Sequence, residues 1–79
     1  MSNNEVDRPR HYNINWKGEQ AIETFDYIKS WRMGYAEGNI IKYVSRHKYK
    51  GKALQDLKKA RWYLDRLIEE LEQIENESR

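Results

Sequence analysis

Seventy-nine residues leave room for one small domain, and 38% hydrophobic against 35% charged residues, with only four glycines and one proline, favours helices over a β-sandwich or a linker. The chain has no cysteine, which excludes disulfide staples, thiolate zinc sites and cysteine nucleophiles together; a chain this small without staples is expected to complete its core by homo-oligomerising. A net charge of +2 hides a strong segregation: eight basic residues and one acid, Asp56, lie between Lys42 and Arg61, while two basic residues and six acids lie between Asp65 and Arg79.

In chain order, residues 1–15 are polar, hold the only proline (Pro9) and show no sustained period, so they read as an N-terminal arm before a single helical domain at 16–79. The start, Met1 to Asp7, has no basic segment followed by an apolar run. No stretch approaches the roughly 18 apolar residues of a membrane span, so an intracellular protein without a membrane partner is expected. Ala21, Ile22, Phe25, Ile28 and Trp31 recur mostly at spacings of three and four, which predicts an amphipathic helix over about 19–31, ended by Arg32-Met33-Gly34. A second helix is expected to begin between Ala36 and Asn39, to carry Ile40, Ile41 and Val44 on its apolar face, and to stop before Gly51. The third and longest is expected over about 52–76. Leu57, Leu64 and Leu71 recur every seven residues and Ala60, Leu67 and Ile74 do the same, a heptad seam suited to a helix pair within the fold or across a dimer. The fold class is therefore all-α: a small three-helix domain with an N-terminal arm and a long C-terminal helix, expected to be oligomeric.

The cationic block is an electrostatic footprint for phosphate, although a solvated helix face gives similar counts. A rotation of about 100° per residue gathers Asn39, Lys42, Tyr43, Arg46 and Lys50 on one side of the second helix, away from its apolar residues. There Lys42 offers a compact charge, Arg46 a fork for phosphate oxygens, Asn39 an amide for a base or ribose, and Tyr43 a ring for stacking. Asp56 could accept a proton from a substrate hydroxyl as a catalytic base, or orient a basic side chain; an acid in the first turn of a helix is more often structural. Trp62 and Tyr63 are adjacent and cannot both lie in the seam, so one of them is expected to meet a ligand or a second subunit.

Glu23 and Asp26 share a face of the first helix and could join Asp56 in a magnesium site, but salt bridges with the cationic block are the preferred reading, and no metal is assigned. His11, beside Tyr12 in the arm, is the better histidine for a ligand contact, whereas His47 falls near the apolar side of its helix. No glycine-rich GxxxxGK[ST] loop occurs, which excludes a P-loop kinase, and the residues point to no particular cofactor.

The segments His11-Tyr12-Asn13, Ile22-Glu23, Asp26-Tyr27-Ile28, Gly38-Asn39-Ile40-Ile41-Lys42-Tyr43 with Arg46, Lys50 and Gly51, and Asp56-Leu57-Lys58-Lys59-Ala60 with Trp62-Tyr63-Leu64 together resemble the SaV-like family of small phage proteins. The resemblance covers about residues 11–68. It implies a phage accessory protein in the cytoplasm of the host cell, and the one activity attributed to that family implies phosphorylation of nucleoside monophosphates without a P-loop. The leading expectation is a nucleotide or other phosphate-containing small molecule held by Lys42, Arg46 and Lys50 on phosphate and by Asn39, Tyr43, His11 and Tyr12 around base and sugar. The alternatives are sequestration of a nucleotide without turnover, and binding of nucleic acid or a host protein.

Overall fold

The computed structural model describes residues 14–78, which form three helices: α1 over Thr24–Ser30, α2 over Tyr35–Arg46 and α3 over Ala53–Glu77. Strands are absent among the described residues, apart from an isolated antiparallel bridge between Ile14 and Gln20. No helix among them is long and apolar enough to cross a membrane. The three-helix expectation holds, and so does the long C-terminal helix.

The first helix starts five residues later than its periodicity suggests, because residues 14–20 are committed to a turn. The Asn15 carboxamide oxygen accepts from the backbone N–H groups of Lys17 and Glu19, both at 2.9 Å, and Gly18 supplies a φ of +81°. These local bonds give the backbone an alternative to a helix. Ala21 and Ile22 therefore precede α1, and Ile22 is exposed.

The stop at Arg32-Met33-Gly34 is a Schellman arrangement. The Met33 N–H donates to the Ile28 carbonyl (3.1 Å) and the Arg32 N–H to the Lys29 carbonyl (3.0 Å), with Arg32 in the left-handed region at φ 55°. That conformation suits glycine and costs an L side chain about 1 kcal/mol. Arg32→Gly is expected to raise stability by up to about 1 kcal/mol, read as a rise of several degrees in the thermal midpoint at fixed protein concentration. An unchanged or lower midpoint would show that the arginine side chain offsets the strain.

Chain then turns directly into α2, where the Glu37 carboxylate accepts from the Gly34 N–H at 2.7 Å and satisfies one of the unpaired donors of the first turn. Gly38 lets α1 approach: a Cβ built there would lie 3.2 Å from Ile28 Cγ2. α2 ends at Arg46, four residues short of Lys50. The Tyr49 N–H bonds the Arg46 carbonyl at 2.9 Å, a tightened turn, and Gly51 at φ +75° reverses the chain into α3.

α2 and α3 make the main contact of the fold, with α1 against α2 as the smaller one. α3 turns Asp56, Ala60, Tyr63 and Leu67 to the inside, positions spaced four, three and four apart. Ala60 is the only buried hydrophobic side chain among the described residues, because a methyl group at the crossing lets the two helices come close. The other row of the heptad pattern, Leu57, Leu64 and Leu71, stays exposed, as does Ile74.

Candidate functional site

Of the residues that the sequence gathers on one side of α2, Tyr43 and Arg46 meet α3 and Asn39 is buried, while Lys42 is exposed. Asn39 is buried, and its amide nitrogen donates to the Tyr35 carbonyl one turn back at 2.9 Å. That amide donor is engaged inside the fold. Arg46, the last residue of α2, reaches across to Asp56 in the first turn of α3: Nε lies 3.3 Å from Oδ2, and Nη2 lies 3.3 Å from Oδ1. The pair is a two-pronged, charge-assisted contact. Asp56 is 2% exposed while Arg46 is 37% exposed, so a buried carboxylate holds a guanidinium whose outer surface is open to solvent.

Around this pair the cations gather on one ring. Lys42 Nζ lies 4.6 Å, Arg46 Cζ 4.9 Å and Lys59 Nζ 5.4 Å from the centre of Tyr43. Cations are drawn to the negative face of an aromatic ring, which offsets part of their mutual repulsion. Tyr43 is in turn stacked on Tyr63 of α3, with centroids 6.3 Å apart and planes within 16°, and Tyr63 meets Tyr35 edge-on at 5.8 Å. Three positive side chains and one negative one thus surround a tyrosine platform built across the α2–α3 contact.

A hydrogen bond with the Tyr35 side chain raises the Tyr63 pKa above the ordinary value of 10.0; burial and the neighbouring Tyr35 and Tyr43 act in the same direction. A raised folded-state pKa means that the unfolded chain loses this proton first, so stability falls as pH climbs from the unfolded value through the folded one. Subtracting the alkaline absorbance titration of Tyr63→Phe from that of the parent is expected to isolate a phenol titrating above pH 10.0, and Tyr35→Phe is expected to lower it. A component at or below the ordinary value would refute Tyr35 as the cause of the shift.

Of the residues singled out in the sequence, Lys42, Tyr43, Arg46 and Asp56 come together. Asn39 lies beneath them, and Lys50 lies beyond the end of α2 rather than on its face, because the helix stops at Arg46. His11 and Tyr12 fall outside the described residues. His47 is half-buried, with Nδ1 2.6 Å from the Val44 carbonyl, a donor bond that caps the end of α2. Lys59 completes the cluster without having been singled out as a ligand contact, and Tyr63 is the member of the Trp62–Tyr63 pair that lies in it; their spacing from Asp56, three and seven residues, is the signal that places all three on one side of α3. Trp62 lies elsewhere on α3, exposed under the Arg66 guanidinium and beside a shallow depression lined by Leu54, Gln55, Lys58 and Lys59. Among the described residues, no three histidine or carboxylate groups come together as a metal site would require, and Asp56 is turned to Arg46 rather than to Glu23 and Asp26.

The fold and this cluster define a small all-helical domain whose polar residues meet across one helix pair. The chain belongs to DUF3310, a protein family of unknown function, which it matches over residues 6–65. That span includes α1, α2 and the first half of α3, and with them every member of the tyrosine and cation cluster. No curated protein and no solved structure matches the chain.

Proposed function

We propose that the protein binds a phosphate-bearing small molecule, a nucleotide in the first instance, at the Lys42, Arg46 and Lys59 cluster. The observation that carries this reading is the convergence of three cations within 5.4 Å of one tyrosine ring, with one of them anchored by a buried carboxylate. Gathering like charges is costly, and a phosphate group carrying up to two negative charges relieves the repulsion while accepting several charge-assisted hydrogen bonds. Asp56 acts as a positioning residue, since both its oxygens are directed at Arg46 and it has almost no exposed surface for a substrate proton. The solvent-facing parts of Tyr43 and Tyr63 offer aromatic surface for a base.

The resemblance to the SaV-like family extends the proposal to a phage protein that transfers a phosphoryl group between nucleotides. In that case positioning and charge neutralisation would supply the catalysis. Calorimetric titration with nucleoside mono- and triphosphates tests the binding step. Saturable binding is expected, weakened roughly tenfold or more in Lys42→Ala/Lys59→Ala, because two charge-assisted contacts are lost. Absence of binding by any nucleotide, or equal binding by the folded double variant, would overturn the reading. Incubation with ATP and each deoxynucleoside monophosphate then separates turnover, seen as diphosphate product, from sequestration, in which the ligand is recovered unchanged.

A further inference from the structure

α3 carries a second apolar stripe that nothing in the described fold covers. Leu54, Leu57, Leu64, Ile68 and Leu71 recur at spacings of three and four, with Arg61 occupying the one gap in the series, and they are between 40% and 66% exposed. On the helical wheel this stripe adjoins the Asp56, Ala60, Tyr63 and Leu67 side that meets α2, and it lies on the flank away from Lys59. At 25 residues α3 is about 37 Å long, roughly twice the length of α2, so its C-terminal half projects past its partner helix.

Such a stripe, with a three-four repeat sustained over three heptads, is the pattern of a helix that packs against another helix. The charges on α3 identify the occupant and its direction. The N-terminal half bears Lys58, Lys59 and Arg61, and the C-terminal half bears Glu69, Glu70, Glu72, Glu75 and Glu77. A parallel copy would set each block against itself. An antiparallel copy sets each against its opposite.

We propose that α3 pairs with α3 of a second copy of this chain, antiparallel and centred near Leu64. Leu57 of one helix then lies across from Leu71 of the partner subunit, Leu64 meets its own counterpart, Lys58 runs beside Glu69 and Glu72 of the partner subunit, and Arg61, in the gap of the stripe, lies within reach of Glu69 of the partner subunit. Opposite charges at such flanking positions set orientation and partner choice. The pairing leaves the Tyr43 cluster on the other flank, so it stands or falls independently of the phosphate reading.

The absence of cysteine makes the test direct. Sedimentation equilibrium of the full chain is expected to give twice the 9.7 kDa chain mass. A mixture of the single variants Lys58→Cys and Glu72→Cys, treated with a short bifunctional thiol reagent, is expected to yield a cross-linked dimer that neither variant forms by itself. Lys58→Glu/Arg61→Glu is expected to weaken the dimer roughly tenfold or more, and adding Glu69→Lys/Glu72→Lys to the same chain to restore it. A monomer at high micromolar concentration, with the stripe left for the N-terminal residues or another protein, would overturn the proposal. So would efficient cross-linking of either cysteine variant alone, or a failure of the charge exchange to restore pairing.

Discussion

Arg46→Ala is expected to cost about 3 kcal/mol of folding stability, out of proportion to an arginine that is more than one-third exposed. The cost arises at the other end of the pair. Asp56 sits in the α2–α3 contact at 2% exposure, with both oxygens directed at the guanidinium, and removing that partner strands a carboxylate where water cannot replace it. Asp56→Ala is expected to be milder, because the freed guanidinium can turn outward and be solvated. The double variant should lie well above Arg46→Ala alone, since it contains no stranded charge. Arg46→Lys is expected to recover only part of the loss, as an ammonium cannot span both oxygens. Urea denaturation of the four variants checks the series, and an Arg46→Ala protein within 1 kcal/mol of the parent would refute this account of the pair.

Ala60→Leu is expected to be the most damaging of the apolar substitutions on α3, at about 2 kcal/mol, although it adds only carbon. Ala60 is 5% exposed at the crossing with α2, and three further carbons there must push the helices apart. Four residues before it is Asp56 and three after it is Tyr63, so the displacement strains the Arg46 contact and the Tyr43–Tyr63 stack together. Leu64→Ala, on the exposed stripe, provides the contrast: it is expected to change the stability of the monomer little and to act on self-association. Denaturation midpoints measured across a range of protein concentrations distinguish the two. A Leu64→Ala effect larger than that of Ala60→Leu in dilute solution would show that the helices do not cross at Ala60.

Both substitutions act at places where distant parts of the chain meet, and those are the places that periodicity reads least well. α3 was legible nearly to its ends, from about 52–76 in the sequence to Ala53–Glu77 in the structure, because its apolar residues hold a heptad spacing for three repeats. α1 was overextended by five residues at its start. Ala21 and Ile22 fit the helical period, but the Asn15 turn and the Ile14–Gln20 bridge had already claimed the segment. The projection of Lys50 onto the face of α2 failed for a similar reason, since a wheel assumes that a helix continues and α2 stops at Arg46.

The cations, the tyrosines and the lone acid of the block are all readable from composition and spacing. Local preferences along the chain, namely the helical period, the Schellman turn at Arg32 and the glycine at 51, were enough to specify three helices and their order. Which face of α2 meets α3 depended on packing between segments: Asn39, Tyr43 and Arg46 went inward, where Asp56 holds Arg46 and Tyr63 stacks on Tyr43, while Lys42 stayed exposed. A charge pair across a turn and a ring stack between helices are set by distances in space, and helical spacing within one segment carries no information about either.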